Sequence, residues 1–170
     1  PTLESMYVAF EKFVDLLPED GTLIVCAEDT GAAALIPHVR KSGRNVVSYG
    51  MQGDMTINTP FWVQARDVQP NQRGGFDFTV TSNIESKTSA SVRVSLQVPG
   101  VHNVRNAMAV IAIVSVLGLS RTKAAEALAE FTGTGRRFQL HGEVNGITIF
   151  DDYAHHPTEI QATLAGARAR

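Results

Sequence analysis

Apolar residues recur every three or four positions at the start of the chain and then give way to short apolar runs. The stripe from Leu3 to Leu17 predicts an amphipathic first helix, and we expect this stripe to pack into the core. The pattern then predicts a strand at 22–27, a short helix at 32–41 that Pro37 kinks or delays, and a strand at 45–49. Such alternation of helix and strand is typical of an α/β fold.

The middle of the chain changes character, because apolar residues there alternate or cluster over short stretches. These stretches predict three more strands, at 61–63, 76–80 and 92–98, with turn-forming residues between them. Residues 51–60 and 83–89 show no periodicity and are predicted loops. We therefore predict an antiparallel β meander appended to the α/β part.

The last third of the chain returns to helical periodicity. Residues 104–117 are almost wholly apolar and predict a buried helix that Gly118 ends, and Ser120 is suited to cap the helix that follows. Ile147–Phe150 reads as a short buried strand, and Pro157 suits the first position of a last helix.

Two glycines, Gly133 and Gly135, interrupt this pattern and predict a hinge. A domain boundary near Gln139 would divide the chain into a first domain at 1–139 and the start of a second at 140–170. The second part is shorter than the roughly 40 residues below which a domain rarely folds alone. The chain also begins at Pro1 without a methionine and ends in a helix-like pattern, so we expect it to be a piece of a longer protein.

The composition is that of an ordinary soluble protein, with 170 residues, 44% hydrophobic residues and a net charge of -2. The absence of a Lys/Arg cluster argues against a nucleic-acid partner, and no apolar stretch is long enough for membrane insertion. The single cysteine, Cys26, excludes a disulfide framework and predicts an intracellular, cytoplasmic protein.

Residues 151–160 hold the densest polar chemistry, on the predicted turn between strand and helix. The carboxylates of Asp151 and Asp152 are candidates for a hydrated magnesium ion, for a ribose or for capping the next helix. Structural zinc is disfavoured at His155 and His156, because no nearby cysteine or histidine completes a ligand set. Strand ends in open α/β sheets are the usual ligand crevice, so we expect this turn to meet a ligand.

Two other clusters carry candidate chemistry. His102, Asn103 and Asn106 lie at the start of the apolar helix, where the amides could cap the helix or read the edge of an adenine base; spacing alone favours capping. Arg136 and Arg137 follow the glycine hinge, where they could clamp a phosphate or form a solvated pair.

Three motifs occur in one order: GVHNVRNA at 100–107, GRRFQ at 135–139 and DDYAHHPTE at 151–159. Together they closely resemble the Mur ligases, the ATP-dependent amide-forming enzymes of peptidoglycan precursor synthesis. The resemblance implies the later part of the family's central P-loop-type ATPase domain, with its antiparallel β meander, followed by the first strand and helix of a Rossmann-like C-terminal domain. The family's phosphate-binding loop and magnesium ligands would lie before Pro1, so the resemblance implies no metal ligand within this chain.

The resemblance also implies a role for each motif residue. Asn103 and Asn106 would contact adenine, and His102 would shape that pocket. Arg137 matches the linker arginine that reaches the ATP phosphates when the C-terminal domain closes, and Asp152 matches an aspartate on the nucleotide side of that domain; both would be catalytic. The remaining motif residues would line the cleft as substrate contacts, namely Tyr153, His155 and His156.

The implied reaction uses ATP and Mg²⁺. The carboxylate of UDP-N-acetylmuramate would attack the γ-phosphate, and the amine of L-alanine would displace phosphate from the acyl phosphate. Without the phosphate loop, we expect this chain alone to be inactive. Two alternatives stay open: a recycling ligase that joins a murein tripeptide to the same sugar nucleotide, and a non-catalytic nucleotide-binding module.

Overall fold

A computed structural model of the chain describes residues 2–51, 59–85 and 91–168. Most of the two predicted loops, at 52–58 and 86–89, lies outside these residues. The described residues form a five-stranded mixed sheet with helices on both faces, followed by a two-stranded hairpin and a final helix. The α/β fold that the pattern predicted is confirmed.

The first helix, α1 (Leu3–Val14), begins at a capping box in which the side chains of Thr2 and Ser5 each bond the other residue's backbone N–H. Of its apolar residues only Val14 is buried, whereas the apolar stripe that precedes it is solvent-exposed. The expectation that this stripe packs into the core is therefore wrong for most of its length, and only its last two members, Val14 and Leu17, belong to a core. Helical periodicity identifies an apolar face, but it does not show which surface covers that face.

The parallel part of the sheet follows α1. Its elements are β1 (Thr22–Cys26), the short helices α2 (Thr30–Ala33) and α3 (Ile36–Lys41), and β2 (Asn45–Met51). The predicted helix is thus split, because Pro37 lies in the first turn of α3 and lacks the N–H that a continuous helix would need there. The two strands run parallel, with Thr22 paired to Asn45.

The meander contains β3 (Phe61–Pro70), β4 (Phe76–Ser82) and β5 (Ser91–Ser95). These strands are antiparallel to one another, as predicted. They are not a separate appendage, however, because β3 also pairs in parallel with β2 to give one sheet in the order β1-β2-β3-β4-β5. Side-chain patterns alone do not reveal which strand of a meander joins a neighbouring sheet.

Two helices cover one face of this sheet: α4 (Val101–Val116) and α5 (Arg121–Glu130). The side chain of Ser120 caps α5, as predicted. The main core lies between this pair and the sheet, where Phe78, Met108 and Ile111 are almost wholly buried. A smaller core on the opposite face joins α1 and α3 to β1 and β2. No helix among the described residues is long and apolar enough to cross a membrane.

After α5 the chain forms a hairpin of β6 (Gln139–Val144) and β7 (Ile147–Asp151), and then α6 (Pro157–Arg168). The predicted strand and helix are present, but β6 was missed because its polar sequence lacks a clear alternation. The prediction that β7 is buried is wrong, since Ile147 is 67% exposed and Ile149 49% exposed. A two-stranded ribbon leaves one face open unless a further layer packs on it.

Candidate functional site

The start of α4 is shaped by Gly100. This residue is the helix N-cap, its φ is 90°, and no side chain makes a capping hydrogen bond there. A Cβ at this position would collide with the His102 imidazole, so both the backbone angle and the space require glycine. The interpretation of the neighbouring asparagines as helix caps, which their spacing favoured, is therefore wrong.

The amides instead form a short chain of contacts at the first turns of α4. The Asn103 side-chain amide donates to the Pro99 carbonyl at 2.7 Å and lies 3.2 Å from Nε2 of His102. Asn106 donates to the Asn103 side-chain oxygen at 3.3 Å. The structure thus brings together the three residues that the sequence grouped. Asn106 is exposed, and no described residue donates to its side-chain oxygen, which leaves that oxygen able to accept from a ligand.

An ion pair between a buried carboxylate and a half-buried arginine fixes this turn against the sheet. Glu28, directly beyond β1, has a side chain only 8% exposed, and its Oε2 lies 2.6 Å from Arg105 on α4. The other carboxylate oxygen accepts the backbone N–H of Met51, the last residue of β2, at 2.5 Å. One carboxylate therefore joins the ends of two parallel strands to the turn that carries the amides. Sequence reasoning missed this pair, although a charged residue within so apolar a helix was a signal.

The His102 ring is partly desolvated by its surroundings. This desolvation lowers the pKa of His102; the Asp152 carboxylate opposes the change, and the Arg105 and Arg137 guanidinium groups add to it. The imidazole is therefore biased toward its neutral form, which can both donate and accept a hydrogen bond.

We expect NMR titration of the imidazole signals to place the pKa of His102 below the usual value of about 6.5. Because the pKa is lowered in the folded state, the unfolded chain binds more protons as the pH falls below about 6.5, and this residue then contributes to acid destabilisation. The His102→Asn variant assigns the signal. A His102 pKa at or above about 6.5 would contradict this account.

The linker before β6 is tied to the end of β7. Asp152 accepts the backbone N–H of Phe138 at 2.8 Å with one oxygen and that of Ala154, also at 2.8 Å, with the other. The backbone N–H of Tyr153 donates to the Arg136 carbonyl at 2.8 Å. Asp152 thus holds the linker in place, a local role that the sequence did not reveal. Arg137, between these two anchors, forms no ion pair within 4 Å among the described residues.

The remaining predicted residues surround the start of α6. The Tyr153 and His155 rings meet edge to face with centroids 5.2 Å apart. His156 accepts the backbone N–H of Thr158 through Nδ1 at 3.3 Å, so it caps the helix. Backbone N–H groups of His155 and His156 donate to Glu159 and lower the pKa of that carboxyl. Tyr153, His155 and His156 are all exposed, although Nδ1 of His155 lies 3.0 Å from the Tyr153 carbonyl and Nδ1 of His156 is occupied by the cap.

The two halves of the site also meet through glycines. Gly166 is the buried residue of α6, and a Cβ there would lie 3.9 Å from the Cα of Gly100. The final helix therefore packs against the turn that opens α4. At the same turn, the Asp152 carboxylate and the Arg137 guanidinium are close enough to His102 to affect its pKa.

The acidic side chains of the described residues do not form a cluster of three metal ligands. Across residues 2–51, 59–85 and 91–168 there is no group of three or more His, Cys, Asp or Glu side chains that could hold a metal ion. Asp152 was a candidate magnesium ligand, but its carboxylate already accepts hydrogen bonds from two backbone N–H groups. We therefore assign no metal ligand to these residues.

Residues 1–114 match the family described as Mur ligase middle domain, and residues 136–170 match the Mur ligase, glutamate ligase domain. The chain is thus built from the α/β domains of a ligase. It belongs to the Mur ligase family.

Relatives and solved structures agree with this assignment. The chain is 40% identical over 169 residues to UDP-N-acetylmuramate–L-alanine ligase of Arthrobacter sp. (strain FB24), covering 99% of this chain and 33% of that protein. The crystal structure of a murein peptide ligase from Psychrobacter arcticus has a TM-score of 0.70 at 32% identity, over 98% of this chain and 32% of that one. The UDP-N-acetylmuramate-alanine ligase of Thermotoga maritima has a TM-score of 0.59 at 25% identity, over 94% of this chain and 40% of that one. The chain spans about a third of the length of the curated relatives.

Proposed function

We propose that this chain supplies the adenine side and the linker arginine of an ATP-dependent ligase that joins UDP-N-acetylmuramate to L-alanine in the cytoplasm. One observation carries the proposal: the first turns of α4 hold amide side chains not engaged in helix capping beside His102, whose pKa the guanidinium of Arg137 helps to lower, and Arg137 has no carboxylate partner within 4 Å among the described residues. The names of the 40% identical relatives support the choice of reaction.

Adenine recognition follows from the amide chemistry. An asparagine side chain offers one acceptor and one donor, which match the exocyclic amine and the neighbouring ring nitrogen of adenine. Asn106 is exposed with its oxygen available, and Asn103 is held rigidly through Pro99. His102, biased toward its neutral form, completes the edge of this pocket without adding a charge.

The phosphates would meet Arg137. Its guanidinium is a planar, permanently charged donor suited to phosphate oxygens, and it would stabilise charge on the γ-phosphoryl group as that group transfers. In the first step a carboxylate oxygen of UDP-N-acetylmuramate forms a bond to the γ-phosphorus and ADP leaves. In the second step the L-alanine amine attacks the acyl carbon and phosphate leaves. We assign Tyr153 and His155 to substrate contacts, and His156 to orienting the same turn.

The acyl phosphate must be protected from water. Asp152 ties the linker to the end of β7, and α6 touches the start of α4 at Gly166, which supports a C-terminal part that would close over the nucleotide side as one unit. Such closure would exclude water while the amine attacks. The proposed reaction uses ATP together with Mg²⁺.

We expect Asn106→Ala in the full-length protein to weaken ATP binding by about 1 to 3 kcal/mol, because the variant loses a hydrogen bond to the base. Calorimetric titration measures the affinity. Lys123→Ala, on an exposed position of α5, is the matched control. Unchanged ATP affinity in Asn106→Ala would remove this residue from the adenine site.

Phosphate release by the full-length protein tests the proposed reaction. With ATP, magnesium and UDP-N-acetylmuramate present, we expect stimulation by L-alanine and none by the murein tripeptide. The relation to the murein peptide ligase of P. arcticus favours the tripeptide as the second candidate amine. Stimulation by the tripeptide alone would establish that alternative. No stimulation by either amine, together with ATP binding, would favour a non-catalytic nucleotide-binding module.

A further inference from the structure

The residues on either side of Arg137 adopt an uncommon backbone conformation. Arg136 has a φ of 60° and Phe138 has a φ of 48°, so both are left-handed without being glycine. Side chains with a Cβ rarely adopt this conformation, and they keep it only when the surrounding structure enforces it. The contacts of these two residues therefore indicate what holds Arg137 in place.

The backbone groups of Arg136 and Phe138 bond to the C-terminal hairpin or to the two residues that follow it. The Arg136 N–H donates to the Gln139 side chain at 2.8 Å, and its carbonyl accepts from Tyr153. On the other side, the Phe138 N–H donates to Asp152, and its ring stacks on Phe150 of β7 with centroids 4.4 Å apart. The residues on both sides of Arg137 are thus fixed to the C-terminal hairpin and the residues that follow it, while the Arg137 N–H donates to the Thr134 carbonyl at 3.2 Å.

The two arginine side chains share one aromatic ring but differ in charge balance. The guanidinium carbon of Arg136 lies 5.0 Å from the Tyr153 ring centroid, and that of Arg137 lies 5.9 Å from it. Arg136 also pairs with Asp151 through Nε at 3.4 Å. Arg137 has no such carboxylate partner among the described residues. The charge of Arg136 is therefore balanced locally, whereas that of Arg137 stays available for an anionic ligand.

We propose that Arg136 is a positioning residue for Arg137. Its ion pair with Asp151 and its contact with the Tyr153 ring hold the linker so that the Arg137 guanidinium travels with the C-terminal part and reaches the nucleotide triphosphate. Arg136 itself does not contact the nucleotide. This inference rests on the proposed function only as far as the binding of a nucleotide triphosphate; it does not depend on the amine substrate.

A double-mutant cycle in the full-length protein tests this coupling. The probe is an ATP analogue with a non-hydrolysable β,γ bridge, and the measurement is its dissociation constant without any amine present. We expect Arg136→Gly, which retains the left-handed backbone without strain, to weaken binding by about 5-fold to 10-fold. In the Arg137→Ala background the same change should weaken binding by less than about 2-fold. Arg136→Lys, which keeps the charge but lacks the planar stacking group, should lie between the wild type and Arg136→Gly.

The controls separate this coupling from other effects. Arg40→Ala removes one positive charge from an exposed position of α3, and it should leave affinity unchanged. An equal loss from Arg136→Gly in both backgrounds would overturn the proposal, as would failure of the full-length protein to bind the analogue. Intact coupling in a protein that L-alanine does not stimulate would support the proposal while contradicting the proposed amine.

Discussion

Replacing Arg137 with alanine in the full-length protein should lower kcat for L-alanine-dependent phosphate release by about 100-fold or more. Arginines that stabilise charge on a transferring phosphoryl group have effects of roughly 10³ to 10⁵ in related chemistry. The KM for L-alanine should change much less, because the guanidinium is assigned to the phosphates. Steady-state kinetics with each substrate varied in turn gives both quantities.

Arg137→Lys is the matched control for this prediction. It keeps the charge but replaces a planar fork with a point charge, so it should recover only part of the lost rate. A kcat for Arg137→Ala within about twofold of the wild-type value would exclude a role in phosphoryl transfer. The exposed linker pair would then be only a solvated pair of charges.

Replacing Arg105 with alanine should destabilise the protein by about 3 kcal/mol, because it leaves the Glu28 carboxylate buried without its partner. Only 8% of the Glu28 side chain is exposed, so water restores little of the lost interaction. Urea unfolding measures the change in the free energy of unfolding. The same variant should also weaken ATP binding, since Asn103 and Asn106 lie on the turn that this pair anchors.

The double variant Glu28→Gln with Arg105→Met is the control. It removes both charges and keeps apolar volume at position 105, and such replacements are often close to neutral. It should therefore be more stable than Arg105→Ala alone. If Arg105→Ala unfolded at the same urea concentration as the wild type, the ion pair would have no structural role and the account of how α4 is anchored would be wrong.

Much of the fold was predictable from local patterns. The helices and most strands follow from apolar periodicity, and the split between α2 and α3 follows from Pro37. The strand β6 was not predictable from its own sequence, because it forms by pairing with β7. The exposed stripe of α1 was also misjudged, because periodicity shows an apolar face and not the surface that covers it.

The candidate site was only partly predictable. Motif resemblance identified the asparagines, Arg137 and Asp152, but spacing alone favoured capping for the amides. That interpretation failed because Gly100 with its positive φ opens α4 without a side-chain cap. The Glu28–Arg105 pair joins residues 77 positions apart, and no local pattern carries such a contact.

The position of Arg137 could not be predicted either. It depends on left-handed backbone angles at Arg136 and Phe138 and on hydrogen bonds to the end of β7. These angles are unusual for residues other than glycine, so the sequence gives no reason to expect them. Long-range contacts thus set the geometry of the chemistry, while the residue types themselves were visible in the motifs.

In the proposed reaction, the protein that contains this chain activates a carboxylate through ATP. The most direct test uses UDP-N-acetylmuramate labelled with oxygen-18 in its carboxylate, together with ATP, magnesium, L-alanine and the full-length protein. Because the oxygen that attacks the γ-phosphorus leaves with it when the amine displaces phosphate, the account predicts one labelled oxygen in the released phosphate. Release of phosphate without the label would show that ATP is hydrolysed by water and that no acyl phosphate forms.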